Sequence, residues 1–307
     1  MTTLRFEQTI KDRDVEEPVD LYWHRPLAFG LLVRPLARWP RVGPAHVTWL
    51  SLLLGLAGAW TCYRAWDGWP AGFVLGALLV LGSVVADCAD GMIARVRGGG
   101  SAFGMLLDGI VDLAVGLALW WALAWPTARL LGHAWWAWLL MVGVLLSTEL
   151  HVALYDGYKN RFLAAVAPPR LRATGAEDEV PAWRRPGASR FERWVGAAYE
   201  HVYGSIAKRS GAERLESLPA ERFRAVYGRA MRWASWLGLG THLFVMYVAA
   251  AACALWPLAA FWVAVVTILV LGNLWTLAVL WAWRDAARRG RQEMRGGARG
   301  EASPAGR

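Results

Sequence analysis

One long stretch of this chain, from Trp233 to Trp283, contains no Asp, Glu, Lys or Arg. A helix needs about 20 apolar residues to cross the hydrocarbon core of a bilayer, so this stretch is long enough for two crossings. Across the 307 residues, 56% are hydrophobic and only 19% are charged. That composition excludes a disordered or fibrous chain and is not typical of a water-soluble globular protein. The sequence therefore predicts an integral membrane protein.

Six apolar stretches have the length of a membrane span, and each must be helical because lipid offers no hydrogen-bond partner to an open backbone. The fifth and sixth are separated at Pro257, which breaks the long apolar block into a hairpin. The predicted spans are His46–Tyr63, Ala71–Ile93, Gly104–Thr127, Ala134–Ala153, Trp233–Leu255 and Pro257–Trp283. The fold class predicted is thus an all-α integral membrane protein, with a six-transmembrane-helix bundle in residues 44–284.

The basic residues predict how this bundle is oriented. Of the 33 Lys and Arg residues, all but Arg64 and Arg129 fall on one side of the predicted membrane. Basic loops stay in the cytoplasm, so we expect both termini and the long loop after span four to face the cytoplasm. No nucleic-acid-binding fold signature accompanies the net charge of +9, so we assign this charge to membrane lipid and not to nucleic acid.

Three regions lie outside the predicted bundle. Residues 1–43 form a cytoplasmic segment in which Pro18–Pro40 interleaves apolar and basic residues, as in an amphipathic interfacial helix. The loop insertion 159–232 is predicted to contain a helix from Ser189, which either rests on the membrane or the bundle or serves as a solvated spacer. Residues 285–307 are a basic tail, predicted to be disordered. The three cysteines lie in apolar surroundings without metal-ligand spacing, so we predict neither disulfides nor a zinc site.

Four acidic residues occur inside the predicted second and third spans, where charge is costly and usually functional. Asp87 and Asp90 share one helical face, and Asp108 and Asp112 share another. The connection from Arg97 to Ser101 is short and glycine-rich, so the two helices must be antiparallel neighbours. We therefore expect the four carboxylates to converge.

Four clustered carboxylates repel one another, and a divalent cation relieves that repulsion without removing their charge. Oxygen ligands favour Mg²⁺, Mn²⁺ or Ca²⁺ over zinc, and two such ions can bridge a pyrophosphate. Gly91, Ala94 and Gly104 leave room on the same faces for a flat, bulky ligand. The alternative is a set of helix-packing carboxylates paired with Arg95 and Arg97.

Residues 87–112 follow the pattern D-x2-D-G-x2-A-R-x8-G-x3-D-x3-D. This pattern resembles the signature of the CDP-alcohol phosphotransferase (phosphatidyltransferase) family. The resemblance implies a six-helix membrane bundle, often a homodimer, which binds Mg²⁺ or Mn²⁺, with two ions expected. Such an enzyme cleaves a CDP-alcohol at its pyrophosphate, releases CMP and passes the phosphoalcohol to an acceptor alcohol.

The resemblance also implies roles for individual residues. Asp87, Asp90 and Asp108 would be metal ligands, and Asp112 would be the general base and a candidate ligand of the second metal. The residues that would line the cytidine and pyrophosphate site are Gly91, Ala94, Arg95 and Gly104.

The start of span one departs from the family pattern. Ala45 stands where many members have an asparagine, and His46 is a candidate substitute for it. Thr48 is a candidate cofactor contact or, alternatively, forms a local backbone hydrogen bond.

Polar residues elsewhere carry less specific signals. Lys159 and Arg161 at the end of span four would suit the phosphate of an acceptor headgroup, or belong to an ordinary interfacial belt. His242 and Asn273 are predicted to form interhelical hydrogen bonds.

The leading function is divalent-metal-dependent transfer from a CDP-alcohol, with CDP-diacylglycerol as the favoured donor, in phospholipid biosynthesis. A CDP-linked headgroup transferred to a lipid or polyol alcohol is the main alternative. An intramembrane prenyltransferase is disfavoured because its acidic motifs lie far apart. A divalent-cation transporter is disfavoured because the chain shows no internal repeat.

Overall fold

The computed structural model describes residues 4–36, 39, 41–98, 102–132, 134–166 and 218–301. Within these ranges the chain is helical and contains no strand. Six helical segments are long and apolar enough to cross a membrane, which confirms the predicted six-span architecture. These segments are Pro44–Ala65, Pro70–Val96, Leu107–Leu130, Trp138–Val166, Ala220–Ala252 and Pro257–Met294. The linker and the helix predicted from Ser189 lie outside the described residues.

The helices are numbered here in chain order. A short helix with alternating α and π turns, α1, covers residues 20–36. The helices of the bundle are α2 (Pro44–Ala65), α3 (Pro70–Val96), α4 (Ala102–Leu130), α5 (Ala134–Val166), α6 (Ala220–Ala234), α7 (Leu239–Ala252), α8 (Pro257–Val266) and α9 (Asn273–Glu301). A 3-10 turn joins α6 to α7, and a π turn joins α8 to α9. Proline is the first residue of α2, α3 and α8, where its missing N–H costs no hydrogen bond.

Small residues set the spacing between α2 and the helices beside it. A methyl group at Gly58 would come within 2.8 Å of the Gly76 carbonyl on α3. A methyl group at Gly55 would overlap Val115 on α4. Because neither glycine has a side chain, the three backbones approach closely, as small residues allow in membrane helices. This packing brings the start of α2 against the acidic part of α3.

Several helices continue past the apolar stretches from which the spans were predicted. Helix α5 runs to Val166, and the fifth span begins at Ala220 instead of Trp233. The extensions carry buried aromatic residues that pack on one another, and the ring centroids of Tyr158 and Trp283 are 4.1 Å apart. Aromatic burial of this kind stabilises the helices where their surroundings are no longer apolar.

The last helix also differs from the sequence expectation of a disordered tail over residues 285–307. Residues 285–301 continue α9 as a helix. Asp285 and Arg289, one turn apart, form a salt bridge of 3.0 Å on this extension, a spacing that supports helix formation.

The N-terminal part of the chain packs against the bundle. Ala28, Phe29 and Val33 of α1 are buried against apolar residues of α3, including Ala89 and Met92. Tyr22 and Leu31 of α1 are exposed. The location of α1 at a membrane surface stays a prediction, whereas its packing fixes the N-terminal residues beside the acidic end of α3.

Candidate active site

The predicted acidic cluster is assembled from two adjacent helices. Carboxylate oxygens of Asp87 and Asp90 on α3 and of Asp108 on α4 all lie within 4.8 Å of one another. Asp112, one helical turn after Asp108 on α4, also lies near the Asp87 carboxylate. The structure therefore brings the four carboxylates together, as the helical spacing predicts.

Some carboxylate oxygens of this cluster receive no hydrogen bond from the described residues. Asp90 is buried, and the Oδ1 atoms of Asp87 and Asp108 are buried without a hydrogen-bond partner among the described residues. A buried, unpaired carboxylate oxygen costs free energy that a bound cation can offset. This all-oxygen donor set fits Mg²⁺ or Mn²⁺.

The alternative interpretation paired these carboxylates with nearby arginines. Instead, Arg95 Nε donates to the Thr9 carbonyl at 2.6 Å, and an Arg97 nitrogen donates to the Val42 carbonyl at 2.7 Å. Within the described ranges, none of the four aspartates forms a salt bridge with Arg or Lys. The geometry thus disfavours a purely structural cluster.

Thr48 contacts the cluster directly. Its hydroxyl donates to Asp90 Oδ2 at 2.5 Å and lies 3.2 Å from the Pro44 carbonyl. Both the contact with the site and the local backbone contact weighed from the sequence are therefore present. His46, two residues earlier, is exposed, and its Nδ1 accepts the Gly43 N–H at 3.1 Å. That ring caps the start of α2.

The small residues of the motif line the same region. A guanidinium nitrogen of Arg95 lies 3.4 Å from the position that a Cβ would take at Gly91. The Arg95 side chain therefore lies against the backbone at Gly91, which has no side chain of its own. Ala94 and Gly104 are half-buried.

A second polar cluster, between the N-terminal segment (residues 4–19) and the bundle, was not predicted from the sequence. Glu16 forms a salt bridge of 2.8 Å with Arg25, and Glu17 accepts the Thr241 N–H at 2.9 Å. His24 lies 2.8 Å from Asp20 through Nδ1 and 3.1 Å from the Tyr247 hydroxyl through Nε2. The signal that could have revealed it is the run of acidic residues that precedes α1 in a basic chain.

Burial and neighbouring charges shift the pKa values of residues in and near this second cluster. Burial, with the negative charge of Asp20, raises the pKa of Glu17 well above its usual range. The positive charge of Lys159, followed by burial and Arg95, lowers the pKa of Lys11 to about 8. Lys11 therefore lies near several other cations as well as near Glu16.

Cys88 faces this second cluster and not the acidic cluster formed by the four motif aspartates. Its sulfur lies within 4.8 Å of ligand atoms of Asp20 and His24. Both ring nitrogens of His24 already have partners, so we interpret the group as a packing and hydrogen-bonding cluster. All three cysteines are buried and unbridged.

The remaining polar predictions have separate outcomes. Lys159 forms a salt bridge with Asp156, one turn earlier on α5. The predicted interhelical hydrogen bonds are confirmed, since His242 Nε2 lies 2.9 Å from His151 Nδ1 and Asn273 donates to Ser147 at 3.0 Å.

Comparison with known proteins identifies the region that holds the aspartates. The family model described as CDP-alcohol phosphatidyltransferase matches residues 41–173. The phosphatidylinositol phosphate synthase of Mycobacterium marinum is 36% identical over 112 residues, which are 34% of this chain and 46% of that protein. The synthase of the same name from Mycobacterium tuberculosis is 38% identical over 102 residues, 32% of this chain and 44% of that protein.

The chain thus spans less than half the length of these curated relatives. No solved structure matches it. The part of the chain that resembles the CDP-alcohol phosphatidyltransferase family, residues 41–173, contains Thr48 and all four aspartates.

Proposed function

We propose that this protein transfers a substituted phosphate group from a CDP-alcohol to the hydroxyl of an acceptor alcohol. The acceptor oxygen forms a bond to the phosphorus that carries the donor alcohol, the bond to CMP breaks, and CMP leaves. The observation that carries this proposal is the approach of Asp87, Asp90 and Asp108 within 4.8 Å, beside Asp112, at motif positions.

The aspartates divide into two roles. Asp87, Asp90 and Asp108 hold divalent cations, Mg²⁺ or Mn²⁺, and the unpaired buried oxygens of Asp87 and Asp108 support that role. Two bound ions would neutralise the diphosphate and align the attacking and leaving oxygens. Asp112 takes the proton of the acceptor hydroxyl and would also serve as a ligand of a second ion.

The nucleotide lies along the small residues of α3 and α4. Gly91, Ala94 and Gly104 leave the backbone open to the cytidine and diphosphate. Arg95, which lies beside Gly91, offers a fork of donors to a phosphate. Thr48 supports the site through its hydrogen bond to Asp90.

The favoured donor is CDP-diacylglycerol and the favoured acceptor is a polar alcohol, which makes the product a phospholipid. The relatives named phosphatidylinositol phosphate synthases support this choice and make inositol phosphate the first acceptor to test. A CDP-linked headgroup transferred to a lipid alcohol is the second candidate, because the motif contacts only the shared cytidine diphosphate.

The cellular setting follows from the charge pattern and the family resemblance. We propose a multi-pass protein of the cytoplasmic membrane, with the active site and both termini in the cytoplasm. We also expect a homodimer, which crosslinking in native membranes would detect as a band of twice the monomer mass.

The test is release of CMP from radiolabelled CDP-diacylglycerol by purified protein in lipid nanodiscs. We expect release only with Mg²⁺ or Mn²⁺ and an acceptor, and a loss of about 100-fold or more in Asp112→Asn. Asp285→Asn is the matched control, since Asp285 is a half-buried residue on α9 that pairs with Arg289 and lies outside the acidic cluster. CMP release that is independent of metal, or equal in Asp112→Asn, would overturn the proposal.

A further inference from the structure

The N-terminal segment is held beside the acidic cluster by three different helices. Arg95 of α3 donates to the Thr9 carbonyl at 2.6 Å, and the Tyr155 hydroxyl of α5 donates to the Val15 carbonyl at 2.7 Å. Arg224 of α6 donates to Asp12 Oδ2 at 2.8 Å. The chain between Thr9 and Val15 therefore has a defined path, and Lys11 lies in the middle of it.

Lys11 differs from the other cations around it. Lys159 is paired with Asp156, Arg25 with Glu16, and Arg95 with the Thr9 carbonyl. The backbone N–H of Lys11 is fixed by Glu16 at 2.9 Å. Lys11 is accessible to solvent although neighbouring groups partly desolvate its ammonium, and it has no ion-pair partner in the part of the chain that the structure describes.

The path of the segment brings Lys11 near the candidate reaction centre, because Thr9, two residues earlier, accepts a hydrogen bond from Arg95, whose guanidinium lies beside Gly91 of the motif. The positive charge of Lys11 acts on the Asp108 carboxylate, while the charges of Lys159 and Arg95 act on Lys11. Cations gathered in this way repel one another, and an anion between them relieves the repulsion. A phosphate group fits because it accepts several charge-assisted hydrogen bonds at once.

We propose that Lys11 binds a phosphate group of a substrate at the mouth of the acidic cluster. This inference rests on the proposed function and adds a residue outside the matched region 41–173. The phosphate belongs either to the diphosphate of the CDP-alcohol or to a phosphorylated acceptor.

Arg224 acts as a positioning residue for Lys11. It forms hydrogen bonds with Asp12, the residue after Lys11, and with Asp14, three residues after Lys11. Burial alone would raise the pKa of Asp12, but hydrogen bonds from Arg224 and from the Asp14 amide lower the pKa below its usual value. Asp12 is therefore charged at neutral pH, and its ion pair with Arg224 is retained in an assay at that pH.

The experiment compares steady-state kinetics of Lys11→Met, Lys11→Arg and wild type in nanodiscs. Arg13→Met is the matched control, because Arg13 lies in the same segment but pairs with the exposed Glu7. We expect Lys11→Met to raise one KM by about ten-fold or more, with Lys11→Arg near wild type and Arg13→Met unchanged. Unchanged thermal unfolding midpoints would exclude misfolding as the cause.

The two sources of phosphate give different results. If Lys11 binds the acceptor, the KM for inositol phosphate rises, whereas the KM for CDP-diacylglycerol does not. If Lys11 binds the diphosphate, the KM for CDP-diacylglycerol rises with every acceptor. Wild-type CMP release together with unchanged KM values in Lys11→Met overturns this inference alone. Absence of CMP release from the wild type overturns the proposed function instead.

The positioning role has its own readout. Arg224→Ala should raise the same KM as Lys11→Met, by about two- to five-fold, since the ion pairs are partly exposed. Adding Arg224→Ala to Lys11→Met should cause no further rise, because the arginine acts only through the lysine. Arg222→Ala, an exposed neighbour on α6, is the control. Additive effects of the two substitutions would overturn the positioning role.

Discussion

At the scale of single residues, the contact between Thr48 and Asp90 is the most direct link between helix packing and the site. The hydroxyl donates to Asp90 Oδ2 at 2.5 Å and so fixes the orientation of one proposed metal ligand. Residues that orient metal ligands contribute about 10- to 100-fold to metal affinity or activity.

Thr48→Val should therefore raise the Mg²⁺ concentration needed for half-maximal CMP release by about ten-fold or more. Thr48→Ser, which keeps the hydroxyl, should restore the wild-type requirement. Ser51→Ala is the matched control, because Ser51 is a buried hydroxyl on the same helix that contacts Ser83 and not an aspartate. The same Mg²⁺ requirement in Thr48→Val and wild type would rule out this role.

Which residues could be predicted depends on the range of their interactions. Asp87 through Asp112 lie on two consecutive helices, so local helical spacing and a short connection suffice to bring them together. The segment that contains Lys11 and Asp12 is held beside the site by long-range contacts, including one from Arg224, more than 200 residues away in sequence. No local periodicity in the sequence predicts such a contact. The one sequence feature that could have indicated it is the acidic run before α1.

At the scale of elements, the junction between α6 and α7 determines how the N-terminal segment docks. Thr241 donates its N–H to Glu17 at 2.9 Å and its hydroxyl at 3.2 Å. A methyl group at Gly238 would overlap the Glu17 carboxyl. The absence of a side chain at Gly238 thus allows the carboxyl to reach the start of α7.

Gly238→Ala should lower the thermal unfolding midpoint and weaken docking, because the added methyl group and the Glu17 carboxyl would compete for one volume. Gly228→Ala on α6 is the control, since the nearest atom to its added methyl group is the end of the Arg232 side chain at 3.8 Å. There we expect unchanged or higher stability, as alanine favours helix. Equal midpoints for the two variants would contradict this account.

The protonation of Glu17 gives a second prediction at this scale. Its raised pKa means that the folded protein binds a proton more tightly than the unfolded chain does, so stability falls as pH rises above about 4.5. Glu17→Gln imitates the protonated carboxyl and should remove this pH dependence. We expect the wild-type unfolding midpoint to fall relative to that of Glu17→Gln between pH 5 and pH 8. Parallel midpoints over this range would exclude a raised pKa.

The lengths of the elements were harder to predict than their number. The hydrophobic pattern identifies six spans because each must bury its backbone in lipid. It does not give the ends of α5 and α9, because these helices continue through charged sequence. The extension of α5 is stabilised by stacking of Tyr158 on Trp283, the last residue of the predicted sixth span.

At the scale of the whole molecule, the basic residues and the acidic cluster make a joint prediction. Thirty-three Lys and Arg residues are present, and only Arg64 and Arg129 lie in the connections expected outside. Substrates that carry a nucleotide or a phosphate group are cytoplasmic metabolites. An active site on the basic side of the membrane would therefore be accessible to them. The orientation is therefore a requirement of the proposed chemistry as well as of membrane insertion.

Reporter fusions in a bacterial host test this orientation. Green fluorescent protein fused after residue 307 should fluoresce, and alkaline phosphatase at that position should be inactive, because the positive-inside rule retains the basic end in the cytoplasm. Alkaline phosphatase joined after Asp67 or Gly132, in the short connections after α2 and α4, should be active. Fusion after Gly98, between Asp90 and Asp108, should again be inactive and serves as the internal control. Active phosphatase after Gly98 would put the acidic cluster on the outer side, out of reach of cytoplasmic nucleotides, and would overturn both the orientation and the proposed donor.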